Sequence, residues 1–174
     1  MKYLIAVALA ALTAAGCSST STSHPAAGHT SAVSAPNPTA SPHPASGATL
    51  AARLKAAGLP VRHLIVYTPA TDPNHEMGRQ NGYTSKVAWV DPRAVKAGAG
   101  NPASDRGGIE FGGGIEVFPT AAGAKARYQY LKGFTAPFGD GYDYLSGPAI
   151  LRLSQYLTPA QARAYEAAFA AAEH

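Results

Sequence analysis

The stretch GIEFGGGIEVFP, residues 108–119, decides how the folded part of this chain is read. Ile109, Phe111, Ile115 and Val117 share one parity and Glu110 and Glu116 the other, the period-two alternation of a half-buried β-strand. Gly112, Gly113 and Gly114 interrupt it, and glycines inside a strand mark a bend, a bulge or a close approach of another backbone. The doubled GIE also admits a short hairpin, although three residues per arm hold one poorly.

Working upstream, YTSKVAWVD (83–91) alternates, with Tyr83, Val87 and Trp89 on one face and Thr84, Lys86 and Val90 on the other. VRHLIVYT (61–68) is β-rich and almost continuously apolar, which predicts a strand well inside a sheet. A polar, turn-rich loop separates these two strands, and a second loop (92–108) leads to the glycine strand. TLAARLKAAGLP (49–60) places Leu50, Leu54 and Ala57 at helical spacing, with Thr49 as N-cap, Gly58 at C′ and Pro60 just beyond.

Downstream, residues 119–134 read as a helix capped at Thr120, with Ala124, Tyr128 and Leu131 on one stripe. YDYLSGPAILRLS (142–154) ends in a strand over residues 149–154. Thr158, Pro159 and Gln161 then form a capping box with proline at N1, opening a helix that carries Ala162, Tyr165, Phe169 and Ala172 on one face. The order α-β-β-β-α-β-α predicts an α+β domain: a roughly four-stranded, mostly antiparallel sheet packed by two or three helices. The passage from the third strand through the helix to residue 154 asks for a crossover between parallel strands.

The N-terminal part has a different texture. Lys2 and the apolar run 4–15 are the size of a signal segment and too short to span a bilayer, which needs roughly 20 apolar residues. Ala14, Ala15 and Gly16 precede Cys17, the one cysteine of the chain. These four residues resemble the bacterial lipobox, in which the cysteine receives a diacylglyceryl group and becomes the new N-terminus; Ala14 stands where leucine is usual. From Ser18 to Gly47 there is no formal charge and almost no large apolar side chain, so nothing offsets the entropy of ordering. The expected organisation is a signal peptide over 1–16, a disordered tether over 17–47 beginning at lipidated Cys17, and one α+β domain over 48–174.

Composition narrows function. Charged residues are 14% of the chain, about half the usual share, and the net charge of +4 comes from scattered single cations. No dense basic stripe exists, so nucleic acid is not expected as a partner. A single cysteine excludes a disulfide framework and a cysteine-based zinc site. His24, His29 and His43 are widely and irregularly spaced in the tether, without ligand partners.

The segments 74–91, 113–131 and 142–169 are similar to small actinobacterial cell-surface lipoproteins without an assigned function. That resemblance implies an extracytoplasmic, membrane-held location and the extent of the domain, and it implies no activity.

Catalytic signatures fail one by one. His75-Glu76-Met77-Gly78-Arg79 puts arginine where a zincin needs its second histidine, and Pro73, Gly78 and Gly82 oppose a helix there. Asp72, Asn74 and Glu76 are too few for calcium's six to eight oxygens and read as an Asp-Pro-Asn turn. No nucleophile elbow is present, no lysine has a serine three residues before it, the glycine-rich stretch lacks the Lys-Ser/Thr of a phosphate loop, and no cofactor or metal is implied. Glu110 and Glu116 on one straight strand stand roughly 20 Å apart, too far for a glycosidase pair. His63, among apolar neighbours, reads as a partnered core or interface histidine.

Eight tyrosines of the folded part and Trp89 suit an interface, since they bury area and keep a polar tip. The expectation is a non-enzymatic binding module, tethered to the membrane by its lipid, with an envelope protein or glycan as partner. Its candidate binding residues are Asp72, His75, Arg79, Tyr83, Tyr142 and Tyr144, in the 72–83 loop and near residues 138–147. The alternative is an envelope hydrolase using His63, His75, Glu76 or the glutamate pair.

Overall fold

The computed structural model describes residues 43–103, 106–135 and 141–172. Cys17, the apolar run before it and the tether up to residue 42 lie outside the described residues, as do residues 138–140. The elements run α1 (Gly47–Ala56), β1 (Arg62–Val66), β2 (Ser85–Val90), a short α2 (Pro92–Ala94) continued by a π turn, a 3-10 turn (Ile109–Phe111), β3 (Gly112–Val117), α3 (Ala121–Thr135), β4 (Tyr142–Ser146), β5 (Ala149–Leu153) and α4 (Pro159–Ala172).

Five strands form one antiparallel sheet in the order β1-β2-β3-β5-β4. The fold is therefore α+β, with one strand more than the alternation alone predicts. The extra strand is β4, in which Tyr142 and Tyr144 face the main core and Asp143 faces the other side. It pairs with β5 across Gly147-Pro148, and Gly147 takes the positive φ (47°) that primed hairpin turns demand at their first central residue. This hairpin also corrects the expected crossover. The chain leaving α3 enters β4, which runs parallel to β3, and β5 then turns back between them as an antiparallel neighbour of both.

The glycine stretch is the second correction. Ile109 to Phe111 leave the strand as a 3-10 turn, and β3 begins at Gly112 itself, buried at every position in the centre of the sheet. Gly113 faces Trp89 across the ladder, and a Cβ there would lie 2.7 Å from the indole Cζ2 and 2.8 Å from the Arg152 carbonyl. Gly114 opens the opposite face, where Ile109 folds back and a Cβ would meet its Cδ1 at 2.8 Å. The glycines thus make room for large side chains on both sides of the sheet.

One face carries the main core. Val87, Trp89, Ile115, Val117, Leu151 and Leu153 meet Leu50 and Leu54 of α1 and Tyr165 and Phe169 of α4. Ser46 caps α1, where Thr49 was expected: its Oγ accepts from the Thr49 amide at 3.1 Å. Gly58 closes α1 with φ 85°. The reciprocal bonds of the α4 capping box are present, Thr158 N to Gln161 Oε1 at 2.9 Å and Gln161 N to Thr158 Oγ1 at 3.3 Å.

The other face holds a smaller cluster of Met77, Tyr83, Phe118, Ala124, Leu131 and Ile150 under α3 and the loop that joins β1 to β2. Tyr83 belongs to this second face, although its parity matched Trp89. β2 starts only at Ser85, and the turn before it carries Tyr83 across.

β1 is an edge strand, contrary to the central position its apolar run predicted. Leu64 and Val66 are 41% and 55% exposed, and the pairing slips between Arg62 and Ile65, where His63 adopts φ 49°. His63 is exposed on that bulge and is not a core residue. A short apolar run is compatible with a centre or an edge, because strand order depends on which later segments pair.

Candidate functional site

The second face of the sheet is where side-chain chemistry concentrates. Alternation along each strand directs Lys86 of β2, Glu116 of β3, Arg152 of β5 and Asp143 of β4 to this side, and the ladder sets them beside one another: Lys86 opposite Glu116, Gly114 opposite Arg152, Arg152 opposite Asp143. Arg127 descends from α3, and the loop after β1 supplies Asp72, Asn74 and Glu76.

Asp72 organises that loop. Its carboxylate accepts the amides of Asn74, Glu76 and Met77, the Tyr83 hydroxyl at 2.7 and 2.8 Å, and Lys86 Nζ at 2.9 Å. Lys86 also lies over the Tyr67 and Tyr83 rings, 5.0 and 5.5 Å from their centroids. Burial by itself raises the Asp72 carboxyl, but the Lys86 ammonium, the Tyr83 hydroxyl and the amides outweigh it and hold the group well below the usual carboxylate range. Burial, then the bond to Asp72, pushes the Tyr83 phenol far above its ordinary value.

Two further pairs repeat the pattern. Arg127 grips buried Glu116 with Nε at 3.0 Å and Nη2 at 3.3 Å. Arg152 donates Nε to Asp143 at 3.3 Å, while among the described residues its terminal nitrogens have no hydrogen-bond acceptor.

Three cavities, of about 150, 220 and 330 Å³, meet at Arg152. The first two share Ile109 and the last two share Asn74, so the three adjoin one another along this face as the Arg152 groove. Lys86, Glu116 and Gly114 line its middle. Asn74, Glu76, Arg127, Tyr130, Leu131 and Arg152 line its widest end, where Tyr130 is 59% exposed and the Arg127 guanidinium lies 5.4 Å from its ring. Ser154 borders the narrow end, with its hydroxyl donated to the Glu110 carbonyl.

The residues singled out from sequence divide in two. Asp72 and Tyr83 come together as a buried pair beneath the groove. His75 and Arg79 are exposed on the same loop. Tyr142 and Tyr144 lie on the opposite face of the sheet against the main core, Tyr142 donating its hydroxyl to the Leu157 carbonyl at 3.0 Å. Of the groups considered for hydrolysis, His63 sits on the far edge strand and His75 is exposed, while Glu110, Glu116 and Glu76 border successive parts of the groove. Among the described residues no group of three potential metal ligands occurs.

Sequence reading missed Lys86, Arg127, Arg152 and Asp143. The available signal was the second parity of β2, β3 and β5, where charged residues recur opposite the apolar ones. That pattern ordinarily marks a solvated sheet face, and only the covering by α3 and the 67–84 loop turns it into a site. The chain matches no family model, no curated protein and no solved structure.

Proposed function

We propose that the protein is a binding module held outside the cytoplasmic membrane by a lipid on Cys17, and that it presents the Arg152 groove to a component of the cell envelope. The observation that carries the binding reading is how the groove's ionisable groups are held. Lys86, Arg127 and Arg152 each contact a carboxylate, so the described floor holds its cations in fixed ion pairs. Rigid elements that hold polar groups in fixed positions suit recognition. The exposed ring of Tyr130 and the amide of Asn74 border the same space.

The tether reading rests on the short apolar run, the small residues before Cys17 and the charge-free stretch after it. Two acyl chains on one cysteine suffice for stable membrane attachment where a single chain does not. No described helix is long and apolar enough to cross a membrane.

Fractionation of cells expressing the wild type and Cys17→Ala tests the anchor. The wild type is expected in the membrane fraction, with a diacylglyceryl mass on its N-terminal peptide, and the variant in the soluble extracytoplasmic fraction. A membrane-bound Cys17→Ala protein, with no lipid on the wild type, refutes it. For the groove, solubilised envelope is passed over immobilised wild type and an Arg152→Glu variant. A component retained by the first and lost from the second is expected, and equal retention by both argues against the groove.

A further inference from the structure

We infer that the groove takes a neutral saccharide; the inference rests on the reading of this groove as a binding site and adds the class of its ligand. Charge decides the class. The lining cations are Lys86, Arg127 and Arg152, and the lining acids are Glu76, Glu110, Glu116 and Asp143. An anionic ligand meets four carboxylates, two of which, Asp143 and Glu116, already pair with the Arg152 and Arg127 charges it would seek. A cationic ligand faces three cations. A neutral ligand rich in hydroxyls leaves every pair intact and uses both signs, since each hydroxyl donates and accepts.

The donors and acceptors left for it are of the right kind. The terminal nitrogens of Arg152 donate and Glu76 accepts, and Asn74, whose amide nitrogen reaches the Tyr83 hydroxyl, adds its amide oxygen as an acceptor. Guanidinium, carboxamide and carboxylate are planar groups with two adjacent polar atoms, a spacing that matches neighbouring hydroxyls on a sugar ring. Hydrogen bonds to charged groups are also the stronger ones.

The largest of the three groove cavities has Leu131 as its one aliphatic lining residue, unlike the mostly apolar pockets that hold drug-like molecules. Its apolar contribution comes from Tyr130, a 59% exposed ring with the Arg127 guanidinium over it, against which the C–H groups of a sugar can pack. Tyr130 is held beside Arg127, so the platform is set before ligand arrives.

The test places the full chain, solubilised in a detergent without a sugar headgroup, on an array of neutral hexose, pentose and N-acetylhexosamine oligosaccharides. Uronate-bearing and phosphorylated oligosaccharides and acidic peptides stand beside them. Retention of neutral members is expected. Tyr130→Ala and Arg152→Ala are each expected to weaken it about ten-fold or more, and Tyr130→Phe, which keeps the ring, by no more than about three-fold. Tyr130 is exposed, so its variants are expected to fold, and circular dichroism checks Arg152→Ala. Failure to retain any neutral member overturns the saccharide assignment, as does retention that Tyr130→Ala leaves unchanged. If only anionic glycans or peptides bind and Arg152→Ala abolishes that binding, the ligand class is wrong while the groove stands. If whatever binds is indifferent to Tyr130→Ala and Arg152→Ala alike, the groove itself is the wrong site.

Discussion

Replacing Asp72 with asparagine removes the charge against which Lys86 is buried. The two side chains are 0% and 9% exposed and their charged atoms lie 2.9 Å apart, so water replaces the lost partner poorly. Removing one member of such a pair costs about 3–5 kcal/mol, a large part of a total stability of about 5–15 kcal/mol. Lys86→Met is milder, at about 1.5–3 kcal/mol, because Asp72 keeps the Tyr83 hydroxyl and three amides. In Asp72→Asn/Lys86→Met no ammonium is stranded, so the double variant is expected to lose less than the sum of the single losses by about 1.5–3 kcal/mol. Urea unfolding followed by fluorescence measures this cycle, since Trp89 is the one tryptophan and is fully buried. The folded-state carboxyl of Asp72 lies below its unfolded value of about 3.9, so its contribution is complete above that pH and is lost as pH falls below it. The wild type therefore loses stability on acidification more steeply than Asp72→Asn. Single losses that add within about 0.5 kcal/mol, or acid limbs of equal slope, refute a coupled buried pair.

Gly113→Ala forces a Cβ to 2.7 Å from Trp89 Cζ2 and is expected to cost about 1–3 kcal/mol, with a shift of the Trp89 emission; native stability and emission would show that the sheet yields there. Glu116→Gln removes the carboxylate charge that faces Arg127 and is expected to lose about 1.5–3 kcal/mol by urea unfolding, a loss that moderate salt screens little because Glu116 is buried. Thr158→Ala removes the hydroxyl that caps α4 and is expected to lower stability by about 1 kcal/mol; thermal melts unchanged from wild type contradict that.

Elements whose cause is local were legible in the chain. The α4 cap depends on Thr158, Pro159 and Gln161, neighbours whose geometry is fixed within one helical turn. The core stripe Ala162, Tyr165, Phe169 and Ala172 follows from the helical period alone, and each of the four is buried. β4 was not legible as a separate strand, because its alternation spans only Tyr142, Asp143 and Tyr144 and runs within three residues into β5. The site was legible only in fragments: Asp72 and Tyr83 were singled out, and their tie to Lys86 was not.

By itself, then, the sequence determined where α4 starts and where α1 stops, that the folded part is α+β, and that the chain before it is chemically unlike the rest. Capping, turn chemistry and periodicity act over a few residues, so they can be read without knowing what lies opposite. Strand order, the exposed edge at β1, the use of Gly113 and Gly114 as clearance for Trp89 and Ile109, and the joining of three ion pairs into one groove were decided only by tertiary structure. Each depends on which distant segments become neighbours. Across an antiparallel ladder that choice sets the partner of every side chain at once: Arg152 meets Asp143 because β5 turns back on β4, and Lys86 stands opposite Glu116 because β2 pairs with β3 in that register.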